Sequence, residues 1–358
     1  MLTINGSHGE GGGQVLRTTL ALAALTGQAV RIDNIRAGRR KPGLHAQHLT
    51  GLLAAARLCN AAVEGACLGS QTLIFRPGSP PQAGEYHFDV AEQRKGGSAG
   101  AVTLVLQTVL LPLAWADGPS RVTIRGGTHV AWSPPYQYLE RVYLPMLKRM
   151  GINARARLTR WGWYPKGGGE VTVAMEGVLG RNLEPQHLLE RGELRRLHGL
   201  SAYAHLPDHV GERQARQVGK VLQAAGLELA VQVVDATSRS GHGGIGSALM
   251  LFAEGEGWVA GFSALGKRGK PAERVADEAG ADFLCWWHSG AAVEMHLADQ
   301  LILPLALTGG PSSFTTCRVT QHLLTNAWVV EQLVPVHVEV EGVEGEAGHV
   351  RVAPREKA

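Results

Sequence analysis

The 358-residue chain is 44% hydrophobic and 18% charged, the balance of a globular protein able to bury a large core, and its length suggests about two domains. A net charge of +4 and a pI near 8.9 lean toward polyanions but exclude the overall charge of a chromatin protein. Cys59, Cys67, Cys285 and Cys317 form no CxxC pair, zinc spacing or disulfide framework, and so read as reduced thiols of a cytoplasmic protein. The opening MLTINGSHGE has no signal-peptide core. The longest apolar run, near 101–115, carries Gln107 and Pro112 and is too short to span a bilayer.

In chain order, a strand is predicted at Leu2–Asn5, then a glycine-rich turn at Gly9–Gly13 and an apolar helix over Gln14–Thr26. A strand at Val30–Ile35, a helix over about 43–59 and strands at Ala61–Gly65 and Thr72–Arg76 follow. The order recurs over 85–175. There is a strand near Tyr86–Val90, a turn at Gly96–Gly100, an apolar helix from Ala101 and a strand at Arg121–Arg125. A helix over Tyr136–Met150 and strands around Trp161 and Val171 complete it. A third pass over 283–353 has a turn at Ser289-Gly290, a helix through Leu307, a strand at Phe314–Arg318, a helix at His322–Leu333 and two strands. Shared phrases support the repetition: Ile35-Arg36-Ala37-Gly38 with Ile124-Arg125-Gly126-Gly127, and Gln47-His48-Leu49 with Gln321-His322-Leu323. The expectation is an α/β (α+β) fold of three repeated units, two helices on a four-stranded sheet each. Repeats one and two take 1–182, a small α/β domain is inserted at 183–280, and repeat three takes 281–358.

Four segments carry candidate chemistry. Gly9-Glu10-Gly11-Gly12-Gly13-Gln14 opens a helix bearing Arg17, and backbone N–H groups at such a start form an anion site. An acidic residue among the glycines makes sense if Glu10 holds a metal that itself meets phosphates. The dinucleotide pattern GxGxxG fails at Gln14, no GxxxxGK[ST] loop occurs, and a purely structural turn is the competing reading. Arg36-Ala37-Gly38-Arg39-Arg40-Lys41 lies on a strand-to-helix turn, where guanidinium groups can bind phosphate bidentately or simply stay solvated. Asp299 and Gln300 interrupt an apolar helix, as Gln107 does its counterpart, and buried polar groups need partners. His322 begins a helix whose Leu323, Ala327, Val330 and Leu333 face the core, which leaves the histidine at the mouth. On these grounds His48, at the matching place in the first repeat, has an equal claim.

Together GEGGGQVLR (9–17), IRAGRRKPGL (35–44), HLADQL (296–301) and QHLLTN (321–326) resemble the RNA 3′-terminal phosphate cyclase family, over most of the chain. The resemblance implies three units like the C-terminal domain of translation initiation factor three, with a small domain inserted in the third. It implies that His322 is the nucleophile, AMP-linked through Nε2, and this separates it from His48. It assigns ATP contacts to Gln107, His296, Leu297, Ala298, Asp299 and Gln300, with Pro134 at the adenine and Gln14 beside them. Arg17, Arg36 and Arg39 match phosphate-binding arginines, and Glu10 matches a metal-associated glutamate. The residue heading the LADQ run can be Tyr in relatives and is His296 here. The implied substrates are ATP and an RNA with a 3′-phosphate end, with a divalent metal, Mg²⁺ or Mn²⁺. No membrane is implied, and the oligomeric state stays open, a homodimer among the options. The implied reaction converts the 3′-phosphate to a 2′,3′-cyclic phosphate. The alternatives are a non-catalytic ribosome-assembly relative and an enolpyruvyl-transferase-like enzyme.

Overall fold

A computed structural model describes residues 1–94 and 96–355. Among these residues the architecture is mixed α/β, with four four-stranded mixed sheets. In the first, β1 (Leu2–Asn5) runs parallel to β2 (Val30–Asp33), and β3 (Ala62–Glu64) and β4 (Leu73–Arg76) add antiparallel, in the order β1-β2-β4-β3. In the second, β5 (Glu85–Asp89), β6 (Ser120–Gly126), β7 (Ala154–Arg160) and β8 (Gly169–Met175) take the order β5-β6-β8-β7 with the same directions.

A short strand, β9 (His187–Leu188), precedes the sheet of β10 (Leu194–Ala204), β11 (Ala230–Asp235), β12 (Gly246–Gly255) and β13 (Val259–Leu265). That sheet has the order β11-β10-β12-β13. β9 itself pairs parallel with β14 (Ser312–Thr316), which joins β15 (Val336–Glu341) and β16 (Gly348–Pro354) in the order β9-β14-β16-β15. All four sheets thus join one parallel pair to antiparallel strands, but three share the order first-second-fourth-third, whereas in the β10–β13 sheet the second strand lies at the edge beside the first.

Each of those three sheets buries one face, as alternation along β6 shows: Val122 and Ile124 are buried while Arg121 and Arg125 are exposed. Helices α1 (Gly13–Thr26), α2 (Ala46–Leu58) and α3 (Val102–Ala114) lie in chain order with their sheets. A continuous helical stretch follows, made of α4 (Tyr136–Tyr138), a π-turn at Leu139–Tyr143 and α5 (Leu144–Arg149). α6 (His209–Gln223) and α7 (Ala272–Ser289) cover the β10–β13 sheet, and α8 (Met295–Ala306) and α9 (Gln321–Leu333) come last. α1 packs against α2, α3 and α9 at once, which is why Val15, Leu16 and Leu20 through Ala24 are all buried around its circumference. No helix among the described residues is long and apolar enough to cross a membrane.

Three sequence expectations move. The strand expected around Trp161 ends at Arg160, and Trp161 instead stacks with His129 and Trp163. β9 went unseen because two residues carry no periodicity, yet it places 187–188 in the last sheet rather than in the 183–280 stretch read as inserted. α7 runs on past 280, where the inserted stretch was expected to end, to Ser289, because Phe283 and Trp286 extend its buried face across Gly280. The β10–β13 sheet with its two helices therefore occupies 194–289.

Candidate functional site

The site forms where the first turns of α1, α8 and α9 meet. Backbone conformation explains the glycines that begin α1. Gly9 sits at φ +60°, and a side chain there would collide with Thr325 of α9. At Gly13 a Cβ would press on the His48 ring and on Arg17. The run is a close approach of backbone to neighbouring helices, and it lets Glu10, Gln14 and Arg17 face one space.

The first turn of α9 is capped by Thr320, whose hydroxyl accepts the Leu323 N–H at 3.1 Å. The His322 ring therefore has no capping task. Its Nδ1 faces Gln14 Oε1 in a close contact, and its Nε2 lies 2.8 Å from Glu10 Oε2. Glu10 also pairs with Arg39. Gln14 Nε2 donates to Asp299 Oδ2 at 2.8 Å. The Asp299 carbonyl accepts from Asn326 Nδ2 at 2.7 Å, and Asn326 Oδ1 accepts from Thr18 at 2.6 Å. Motifs nearly three hundred residues apart in sequence thus share one hydrogen-bonded network.

Burial lowers the His322 pKa against the pull of Asp299, and Arg17 and Arg39 lower it further, which favours a neutral imidazole. Burial raises Asp299, opposed by His322, His296 and Arg17. Arg17 is brought down to about 10 by burial, with Asp299 opposing, so it keeps its charge at neutral pH. Its Nε donates to Gln107 Oε1 at 3.1 Å, and Gln107 Nε2 donates to Gln300 Oε1 at 3.3 Å. These two glutamines line a narrow, nearly filled slot with Leu106, Pro134, Tyr138 and Tyr143. An apolar slot therefore opens at one end of a polar chain whose other end is Arg17 and His322. A larger cleft, about 320 Å³ between β7 and the β10–β13 sheet, holds none of the sequence-assigned residues, so the smaller slot is the one tied to the histidine.

Not every candidate faces this space. Leu297 and Ala298 are buried in the core, so their side chains serve packing. His296 is exposed on the first turn of α8, and its carbonyl accepts from Gln300 at 2.8 Å. Arg36 has a positive φ of 56° and donates to the carbonyls of Lys41 and Gly43, both at 2.8 Å, so it braces its own loop. Its charge acts on His45 and His48. His48 is 6% exposed, and its Nδ1 accepts the His45 N–H at 3.1 Å in a capping box. Among the described residues no group of three or more His, Cys, Asp or Glu side chains is arranged for a metal ion. Glu10 fits such an ion only as a single carboxylate ligand, with phosphate oxygens and water supplying the rest.

Sequence reasoning missed the buried pair of Tyr138 and Glu294. Glu294 caps α8 through the His296 and Leu297 N–H groups, at 2.6 and 2.8 Å, and takes the Tyr138 hydroxyl hydrogen bond. The available signal was a glutamate directly ahead of an apolar helix. Asn326 lay inside the QHLLTN motif without an assigned task.

A family model described as RNA 3′-terminal phosphate cyclase matches residues 8–340. The chain is 52% identical over 352 residues to the RNA 3′-terminal phosphate cyclase of Methylococcus capsulatus, covering 98% of this chain and 96% of that one. It is 51% identical over 332 residues to that of Trichormus variabilis, covering 93% and 94%. It is 42% identical over 357 residues to that of Methanopyrus kandleri, covering 99% of each. The enolpyruvyl transferase NikO from Streptomyces tendae is 13% identical with a TM-score of 0.29, covering all of this chain and 66% of that one, too slight a likeness to relate the folds.

Proposed function

The chain belongs to the RNA 3′-terminal phosphate cyclase family, and from that membership we propose an ATP-dependent, ligase-type enzyme that converts an RNA 3′-phosphate to a 2′,3′-cyclic phosphate through a histidine–AMP intermediate on His322. The observation that carries the reading is the His322 ring itself, free of capping duty, favoured neutral, and set between Gln14, Glu10 and the Arg17 charge.

A phosphate monoester is a poor electrophile because it is anionic and hydroxide leaves badly. Activation by adenylation removes that obstacle. The Nε2 lone pair of His322 attacks the α-phosphorus of ATP, the N–P bond forms, and the bond to pyrophosphate breaks. Arg17 and Arg39 offset the charge developing on the phosphates. Arg36 does so less directly, since its guanidinium is committed to its loop. In this reading the base enters by the slot lined by Gln107, Pro134 and Gln300, which must widen to take it, and the triphosphate extends toward Arg17. A divalent ion bound through Glu10 would add Lewis-acid charge stabilisation there. An oxygen of the RNA 3′-phosphate then displaces the histidine from the AMP phosphorus. Finally the ribose O2′ attacks the terminal phosphorus, AMP leaves, and the O2′ proton passes to solvent. The last step is intramolecular and needs orientation above all.

The same reading takes the three like-ordered sheets, each with two helical segments, as copies of one unit, with the β10–β13 domain inserted in the third. A cytoplasmic enzyme acting on RNA accords with the reduced cysteines expected from sequence. The test is labelling with ATP radioactive in its α-phosphate. The protein should acquire an acid-labile, alkali-stable adduct that His322→Ala does not form, and an adduct that persists in His322→Ala refutes the assignment.

A further inference from the structure

The network behind His322 has a polarity that decides which ring nitrogen reacts. Asp299, as a carboxylate, offers only acceptors. Gln14 must therefore turn its amide N–H₂ toward Asp299, as the 2.8 Å contact from Nε2 to Oδ2 records. The opposite amide orientation would set oxygen against oxygen. With its nitrogen so committed, Gln14 presents Oε1 to the His322 Nδ1. Two acceptors face the ring, Gln14 Oε1 at Nδ1 and Glu10 Oε2 at Nε2. With the Glu10 charge held by Arg39, the ring proton stays at Nδ1 and the neutral ring carries its lone pair on Nε2.

We propose that Asp299 and Gln14 are positioning residues that hold the proton of His322 on Nδ1 and so make Nε2 the attacking nitrogen. The inference rests on His322 being the nucleophile. It gives Asp299 and Gln14 a task distinct from the ATP contacts expected of them. Both members are pinned. Gln14 is 5% exposed, and the Asp299 backbone is tied to Asn326 and through it to Thr18. The arrangement follows the logic of hydrolase triads, in which a carboxylate fixes the imidazole tautomer. Here an amide is interposed and passes on the carboxylate's demand for a donor. When the Nε2–P bond forms and pyrophosphate departs, the Nδ1 proton stays in place. The resulting cationic ring then lies in line with the carboxylate.

Among the described residues the ring's other partner is Glu10, an acceptor at Nε2. Removing the acceptor at Nδ1 should therefore send the proton to Nε2 and block the nucleophile. Proteins labelled with ¹⁵N-histidine, with His322 assigned by its loss in His322→Asn, report the tautomer through long-range proton–nitrogen correlation at a pH where the ring is neutral. The full-length chain should show a protonated Nδ1. Gln14→Met should show the proton on Nε2 and form the adenylate about tenfold to a hundredfold more slowly. The double variant Gln14→Glu with Asp299→Asn moves the carboxylate next to the ring and the amide behind it. It should return the proton to Nδ1 and recover most of the rate. The proposal is overturned if Gln14→Met keeps the proton on Nδ1, or if the double variant places it on Nε2. A chain that shows the Nδ1 tautomer yet takes no label from ATP would sink the nucleophile reading and leave the tautomer assignment standing.

Discussion

The starts of α2 and α9 carry the same phrase, Gln-His-Leu, and put it to opposite uses. At α2 the helix begins one residue earlier relative to the phrase, with His45 as N-cap, so His48 falls on the third helical position. There its Nδ1 satisfies the His45 N–H, and the ring is sealed beneath Gly13. At α9 a threonine holds the cap, and His322 falls on the second position with both nitrogens turned to the start of α1 and the turn before it. Its side chain is 45% exposed. A helix-start histidine becomes available for chemistry when another residue does the capping. The difference lies in the N-cap, not in the phrase.

The sharpest way to break this comparison is to remove each histidine in turn. His322→Ala should lose the covalent adenylate entirely. His48→Ala should keep it within a few-fold while losing about 1 kcal/mol or more of stability with its cap, read by denaturant unfolding. Loss of the adduct in a folded His48→Ala protein would show that the two helix starts are not functionally distinct. A smaller effect is expected from the arginines. Arg17→Lys loses the Nε donor to Gln107 and should slow adenylation about a hundredfold. Arg36→Lys should loosen the 36–43 loop and change adenylation far less, since its guanidinium serves the Lys41 and Gly43 carbonyls. Equal losses in the two variants, measured as adduct formation per unit time, would place Arg36 on the phosphates after all.

Much of this was legible in the sequence, and the limits have physical causes. The helices α1 and α9, the turn before α1 and the polar residues inside α8 followed from periodicity and from the need of buried polar groups for partners. The likeness of residues 35–38 to 124–127 pointed to sheets of one order. What sequence could not give was pairing across distance. Gln14 meets Asp299 and His322 only because α1 lies against α9, and nothing local to any of the three motifs specifies that contact. Arg36 read as a phosphate ligand because composition cannot reveal that a side chain folds back on its own loop. Leu297 and Ala298 came along with the polar residues around them, although their own character already suited the core. β9 escaped because a two-residue strand is defined by its partner β14 and not by any pattern of its own.

The subtlest test concerns the buried histidine alone. Burial holds His48 well below its ordinary value of 6.5, with Arg17, Arg36 and His45 adding to the effect. In the unfolded chain the same group titrates near that ordinary value. Below it the unfolded state takes up a proton that the folded state refuses, so unfolding is favoured as pH falls. The stability tied to a neutral His48 is therefore fully present above about pH 6.5 and declines beneath it, by at most about 1.4 kcal/mol per pH unit for one proton. His48→Gln keeps an acceptor for the His45 N–H and cannot titrate. His129, lowered to about 3 by burial, acts in the same direction but is common to both proteins. Subtracting the two stability–pH curves, each from urea unfolding, thus isolates His48. The difference should be level above pH 7 and should grow in favour of the variant as the solution is made more acidic. A difference that stays level through the acid range would mean that His48 accepts its proton in the folded state. The ring would then be less enclosed than its place under Gly13 requires, and the contrast with His322 would need a cause other than capping.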